Sequence, residues 1–263
     1  MECDIETSID GTPFVWRVDG DFASGRGPAL CRIDRDRLLP GLGSEGYRII
    51  DLPAGWAEQM GERAAAQLGC EHRELLPSYH LNIDEARHLQ RIEKTRELRL
   101  RDFTIRPPCL AELFGERLGV RLSAEVAALG RDHVQLRINR PASTDYNPPH
   151  RDGSLPIWAN TVNVWIPIAG VDELTSLPIV PGSHRVAEAE CWQTGPGGAV
   201  IRGRRYRVPA IARLRQRPLE MVRTPVAFGQ ALVFTPYLIH GLAVNQSAHT
   251  RMALELRLEI AEP

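Results

Sequence analysis

The spacing of apolar positions along the chain changes once, near residue 131, and the change divides the sequence into two halves. Before it, apolar side chains recur at three- and four-residue intervals. "GWAEQMGERAAAQLG" (55–69) predicts an alanine-rich helix closed by a glycine at its C-cap. A second helix is expected over 84–100, with Asp84 as its cap and Leu89, Ile92 and Thr95 on one face. A third follows from Leu110, Leu113, Phe114 and Leu118 ahead of Gly119. "GYRIIDLP" (46–53) reads as a short strand. Residues 1–45 hold many Gly, Asp and Arg without a sustained period, and are expected to be irregular or to form short strands.

Beyond residue 131 the period is two. In "HVQLRINR", Val134, Leu136 and Ile138 alternate with Gln135, Arg137 and Asn139. In "TVNVWIPI", Val162, Val164, Ile166 and Ile168 alternate with Thr161, Asn163, Trp165 and Pro167. In "RMALELRLEI", Met252, Leu254, Leu256, Leu258 and Ile260 alternate with Arg251, Ala253, Glu255, Arg257 and Glu259. Each predicted strand has one clean apolar face that needs a covering layer, and the N-terminal helices are available to provide it. The polar faces have two readings: they meet water, as in an ordinary antiparallel sheet, or they line a wet cavity inside a jelly roll. Between 185 and 222 the alternation lapses into "GPGG", "RGRRYR" and "RLRQRP", read as a long loop insert. Its arginines are expected to be solvated in preference to gripping an anionic substrate. The chain is read as a single domain, with 1–130 mainly helical and 131–263 forming the sheet core.

Composition narrows the function. With 43% hydrophobic residues over 263 positions, a full core is available. Thirty-two basic against thirty-three acidic residues leave a formal charge of −1, so no global field favours nucleic acid or a membrane surface. A small molecule is the expected partner. Lys94 is the single lysine, and no function follows from it. Cys3, Cys31, Cys70, Cys109 and Cys191 are scattered and odd in number, which argues against a disulfide framework or a thiolate zinc site and for free thiols in a reducing cytoplasm. "MECDIETSIDG" lacks the apolar core of a signal peptide, and no run reaches membrane-spanning length. A soluble, cytoplasmic protein is expected.

The candidate chemistry begins at "NPPHRDGSLPIW" (147–158), where His150 and Asp152 project from one side of an extended segment. A His-x-Asp pair arises readily by chance, so a third ligand is needed. His240, ending "ALVFTPYLIHG", is the best candidate. Two histidines and one carboxylate occupy one face of an ion and leave three positions open, the arrangement suited to ferrous iron, dioxygen and a chelating co-substrate. Arg251 stands eleven residues beyond His240, on the polar side of the last predicted strand. An inward arginine is costly unless a carboxylate meets its planar fork, and the distal carboxylate of 2-oxoglutarate is such a partner. The competing class, a cupin-like metal-dependent isomerase or a small-molecule-binding jelly roll, accounts for the sheet and the histidines but gives no reason for that arginine.

"HRD", "NTVNVWIPI", "SLPIVPGSHR", "GQALVFTPYLIHG" and "NQSAHTR", in this order and spacing, resemble the successive motifs of the phytanoyl-CoA dioxygenase-like family of Fe(II)/2-oxoglutarate-dependent oxygenases, over roughly residues 131–260. The resemblance implies an α+β, mainly β fold: a double-stranded β-helix (jelly roll, cupin-like) with the N-terminal helices on one sheet. It implies His150, Asp152 and His240 as iron ligands and Arg251 as the anchor for 2-oxoglutarate, with dioxygen as the second co-substrate. "QLRIN" is similar to a strand of ectoine hydroxylases, which implies Asn139 against the co-substrate and Gln135 and Arg137 toward the substrate. Trp165 falls at a pocket tryptophan of the family. Leu242 departs from the pattern, which has a serine donor there, so Thr161 or Asn163 would replace it. His184, in the "PGSHR" turn, is implied to be structural. His72, His80, His88, His133 and His249 have no partner at ligand spacing and read as surface or helix residues. Tyr146 and Trp158 are either substrate walls or packing, and Arg185 is read as a salt-bridge residue before a substrate contact. Retention of Asp152 implies hydroxylation in preference to halogenation. The polar set Gln135, Arg137 and Asn163 points to a small polar or anionic substrate.

Overall fold

The computed structural model describes residues 2–25, 41–103, 105–201 and 203–261. Its strands in chain order are β1 (Glu2–Ile9), β2 (Thr12–Asp19), β3 (Phe22–Ser24), β4 (Tyr47–Asp51), β5 (Leu122–Ser123), β6 (Glu125–Val126), β7 (Arg131–Asn139), β8 (Thr161–Ala169), β9 (Pro178–Val180), β10 (Cys191–Thr194), β11 (Ala199–Ile201), β12 (Arg204–Tyr206), β13 (Ile211–Leu214), β14 (Arg217–Arg223), β15 (Gln230–Phe234), β16 (Ile239–His240) and β17 (Arg251–Ile260). The helices are α1 (Trp56–Leu68), α2 (Glu85–Thr95) and α3 (Pro107–Leu118). Among the described residues the strands form two sheets. One runs β4-β15-β8-β17-β7-β6, with β5 also on β17; the other runs β12-β11-β2-β1-β14-β13-β10-β3, with β9 joining β14 to β16. The β1–β14 pair is parallel and the other pairings are antiparallel. The architecture is that of a mainly β jelly roll with helices on one sheet.

The three helices follow their local signals. Asp84 accepts from the Arg87 amide at 2.8 Å to cap α2. Gly69 and Gly119 close α1 and α3 at φ 68° and 71°. Together α1 and α3 cover the apolar face of the first sheet, where Ala57, Met60, Ala64, Leu110 and Phe114 pack in one core with Val134, Val164, Ile166, Leu254 and Leu256. The opposite face of the same strands does not meet water. Trp165, Leu232, Phe234 and Ala253 share a core with Ile179 and Leu238 of the second sheet's side, so the polar residues interleaved with them are enclosed between sheets.

Two expectations need correction and one is resolved. For the described part of 1–45, expected to be irregular or to form short strands, the structure has strands: β1 and β2 form a full antiparallel hairpin from Glu2↔Asp19 to Ile9↔Thr12. Its turn is Asp10-Gly11, both at positive φ (52° and 76°), the conformation a tight hairpin demands and Asp-Gly supplies. Residues 26–40 of that stretch, Cys31 among them, lie outside the described residues. The segment 185–222 is not a loop insert but contributes β10 to β14 and thus much of the second sheet; its strands are short and rich in arginine on their exposed positions, which hides their period. Finally, the second helix ends at Thr95, and its buried residues are His88 and Thr95, while Leu89 is exposed. His88 is drawn inward by Asp145, whose Oδ1 lies 3.5 Å from its Nε2. No disulfide links the described cysteines, and no helix among the described residues is long and apolar enough to cross a membrane.

Candidate metal centre and the cavity beside it

His150 and His240 come from distant points of the chain and face each other as an antiparallel bridge. The His150 amide donates to the His240 carbonyl at 2.9 Å, and the His240 amide donates back at 3.1 Å. Gly241 permits this approach. Its φ is +126°, and a Cβ there would sit 2.5 Å from the Pro148 carbonyl oxygen, so any larger residue would push the two segments apart. Asp152 opens a short 3-10 turn (Asp152–Ser154) directly after His150, which brings its carboxylate back over the bridge.

The ligand atoms of His150, Asp152 and His240 all lie within 4.8 Å of one another, and all three residues are buried. Asp152 Oδ1 is 3.4 Å from His150 Nε2, and Oδ2 is 3.4 Å from His240 Nε2. Each ring's Nδ1 meets a backbone carbonyl two residues earlier, Pro148 at 2.8 Å and Leu238 at 3.1 Å. A carbonyl can only accept, so Nδ1 carries the proton and the Nε2 lone pair turns toward the carboxylate. Burial, and then the neighbouring His150, lower His240 to about 4, which keeps it neutral near pH 7. Burial opposes the charge on Asp152 most strongly, yet Arg257 and then His240 hold its carboxyl well below the usual range. Two imidazoles that present Nε2 and one carboxylate, each aimed by a second hydrogen bond, are a donor set that fits a divalent transition metal such as iron.

Beside the triad lies a narrow cavity of about 50 Å³ whose lining includes Arg137, Asn139, Asp145, Tyr146, His150, Trp165, Leu177, His240, Arg251 and Glu255. Asn139, Trp165, Arg137 and Tyr146 therefore stand in the expected cavity. Asn139 spends its amide on the backbone carbonyls of Asp145 and Ala243, bracing the wall. Arg251 is buried, with its guanidinium carbon 5.5 Å from the Trp165 ring centre and Nε donating to the Thr175 carbonyl at 3.1 Å. Among the described residues it has no carboxylate within ion-pair distance. Burial pushes it down to about 9, and the nearby Arg137 adds to the effect. A larger cleft of about 510 Å³ runs along Val171–Leu174 and Arg223–Ala227, and no residue singled out from the sequence lines it.

Four expected pocket residues are elsewhere. Asn163 is buried behind the triad and donates to Asp152 Oδ2 at 2.8 Å, and Thr161 donates to the Trp158 carbonyl at 2.9 Å, so neither replaces the missing serine at Leu242. Trp158 packs against His133, ring centres 4.8 Å apart, and under Arg257 at 5.5 Å. Gln135 sits opposite Glu255 in the β7–β17 register, outside the cavity lining. The "PGSHR" turn is structural: Ser183 Oγ accepts from the Ile239 amide at 2.8 Å, next to His240. Sequence reasoning passed over Glu255 and Arg257. Both are buried, and Arg257 Nη2 reaches Asp152 Oδ2 at 2.8 Å. Their signal was the alternation itself, which puts residues 251, 255 and 257 on one face.

The family model described as Phytanoyl-CoA dioxygenase (PhyH) matches residues 70–253. No curated protein matches the sequence. Among solved structures, AviO1 from Streptomyces viridochromogenes Tue57 is 18% identical, with 89% of this chain and 99% of that chain covered and a TM-score of 0.49. EctD from S. alaskensis, solved with 2-oxoglutarate and 5-hydroxyectoine, is 13% identical over 92% of this chain and 84% of its own, TM-score 0.48. SnoN, a non-heme alpha ketoglutarate dependent epimerase from nogalamycin biosynthesis, is 15% identical over 86% and 82%, TM-score 0.45.

Proposed function

The chain belongs to the phytanoyl-CoA dioxygenase family, and from that premise we propose that it is an Fe(II)- and 2-oxoglutarate-dependent dioxygenase that hydroxylates an unactivated carbon of a small polar metabolite, an amino-acid derivative or natural-product intermediate, releasing succinate and carbon dioxide. The observation that carries this reading is the convergence of His150, Asp152 and His240 within 4.8 Å, beside a cavity that also holds the buried Arg251.

In this reading the two Nε2 atoms and one Asp152 oxygen would hold the metal. Bound there, iron and 2-oxoglutarate supply the oxidising power. The protein supplies placement and dryness. Arg251 takes the distal carboxylate of the co-substrate: a buried guanidinium without an anion is costly, and an incoming carboxylate relieves that cost with charge-assisted hydrogen bonds. Trp165 lies under Arg251, its ring centre 5.5 Å from the guanidinium carbon, and supports the cation from one side. Tyr146 and Leu177 help shut the cavity from water, and Arg137 lies toward the substrate. The cavity, about 50 Å³, has room for a few waters. Arg137, 28% exposed, is the most open charged group of the wall.

Desaturation, epimerisation and ring closure use the same residues and differ only in the fate of the substrate radical. The test is succinate release from 2-oxoglutarate with iron and ascorbate, screened over amino acids, sugars and acyl thioesters, followed by mass analysis of the coupled product. Substrate-dependent succinate with a gain of one oxygen atom supports hydroxylation. No succinate with any substrate, from iron-loaded protein, overturns the oxygenase reading.

A further inference from the structure

From Asp152 a row of alternating charges, Arg257, Glu255 and Arg137, runs into the wall of the cavity. Asp152 Oδ2 accepts from Asn163 Nδ2 at 2.8 Å and from Arg257 Nη2 at 2.8 Å. The same Nη2 donates to Glu255 Oε1 at 2.5 Å, and Glu255 Oε2 accepts from Arg137 Nε at 2.6 Å. Arg257 also lies over Trp158, its guanidinium carbon 5.5 Å from the ring centre. Asn163 and Arg257 are both almost fully enclosed, and Arg257 lies beyond the matched segment 70–253.

The two donors converge on one oxygen. A carboxylate oxygen offers two lone-pair directions, and at Oδ2 both are occupied by N–H groups. Oδ1, 3.4 Å from His150 Nε2, is left for an ion. A carboxylate held in this way can give a metal one oxygen, whereas a carboxylate free to rotate can chelate with two and fill a further position. Glu255 is also paired with Arg137, and Asn163 carries no charge, so the two donors on Oδ2 do more than balance a buried charge.

We infer that Arg257 and Asn163 are positioning residues that hold Asp152 Oδ2 and so turn Oδ1 toward the ion, with Glu255 fixing Arg257 in turn. This rests on the reading of His150, Asp152 and His240 as metal ligands. Outer partners of metal ligands typically contribute a factor of about 10–100 to metal affinity.

The test uses the metal-free full chain titrated with Mn(II), free Mn(II) being followed by its electron paramagnetic resonance signal, with thermal unfolding in chelator as the check on folding. Asn163→Leu and Arg257→Gln are expected to weaken Mn(II) binding about 10- to 100-fold. Arg257→Lys, which keeps one charge-assisted contact, should recover part of the loss. Where Arg257→Gln does not fold, Asn163→Leu and Glu255→Gln decide, the latter expected to weaken binding severalfold. Folded Asn163→Leu and Arg257 or Glu255 variants that bind Mn(II) within twofold of the parent, while His150→Ala abolishes binding, overturn the inference and leave the metal site standing. A His150→Ala chain that binds like the parent overturns both.

Discussion

The two faces of the first sheet are built from the same three long strands and differ only in which residues of the alternation they present. One face puts Val164, Ile166, Leu254 and Leu256 under α1 and α3. The other puts Asn163, Trp165, Arg251, Glu255 and Arg257 toward the second sheet, and almost every residue of β8 and β17 is buried on both faces. An alternating strand usually turns its polar side to water. Here water is excluded from both sides, so each polar group must find a partner in the protein or wait for a ligand. Arg257 finds Asp152 and Glu255, and Arg137 finds Glu255. Among the described residues Arg251 finds a backbone carbonyl and an aromatic face but no carboxylate within ion-pair distance. That difference is why Arg251, and not Arg137 or Arg257, is proposed as the anchor for a ligand.

Substitutions can pull the two faces apart. The largest effect belongs to the triad: Asp152→Ala or His240→Ala should abolish turnover and metal retention, a loss of at least about 10³-fold, read by metal analysis and succinate release. Leu254→Ala, on the apolar face at 0% exposure, should destabilise the fold by about 2–5 kcal/mol in denaturant titrations while metal affinity of the folded fraction is unchanged. Arg251→Ala should raise the 2-oxoglutarate requirement about 10- to 100-fold, since a charge-assisted bond to a buried partner contributes about 1.5–3 kcal/mol; an unchanged requirement would remove its assignment.

The smallest effect concerns pH. Burial, and then the charge of Arg257, lower His133 from 6.5 to about 4. Between those values the unfolded chain binds a proton that the folded chain refuses, so this contribution to stability is complete above pH 6.5 and is lost as pH falls toward 4. It amounts to on the order of 2 kcal/mol for a partly buried group. His133→Phe should therefore flatten the fall in thermal midpoint between pH 6.5 and 4.5. Parallel curves for both proteins would show that His133 is not held neutral.

Much of this was legible in the residues. The period of two located β7, β8 and β17, and the offsets within "HRD", "LIHG" and "HTR" singled out the residues that the fold brings to one cavity, because register on a two-sided strand is fixed by its apolar set. The covering sheet was not legible. Its strands β10 to β14 are three to seven residues long, and their alternation is broken by glycine, proline and exposed arginine. Without that sheet, the polar face reads as solvated and Glu255 and Arg257 read as surface charges. Thr161 and Asn163 share the polar face of β8 with Trp165, yet Asn163 meets Asp152 and Thr161 meets the Trp158 carbonyl, because the short turns between 152 and 158 fold back to that end of the strand. Distance along a strand decides which part of a site a residue serves, and alternation alone carries no such information.

The most direct measurement is an anaerobic titration of the full chain with Fe(II) and 2-oxoglutarate, followed by visible absorption. A keto acid chelated to ferrous iron on this triad should give a weak charge-transfer band that saturates at one iron per chain, vanishes in His240→Ala and needs more 2-oxoglutarate in Arg251→Ala. A chain that takes up iron but develops no band, or one whose band survives loss of His240 unchanged, would contradict the placement of the metal and its co-substrate between the two sheets.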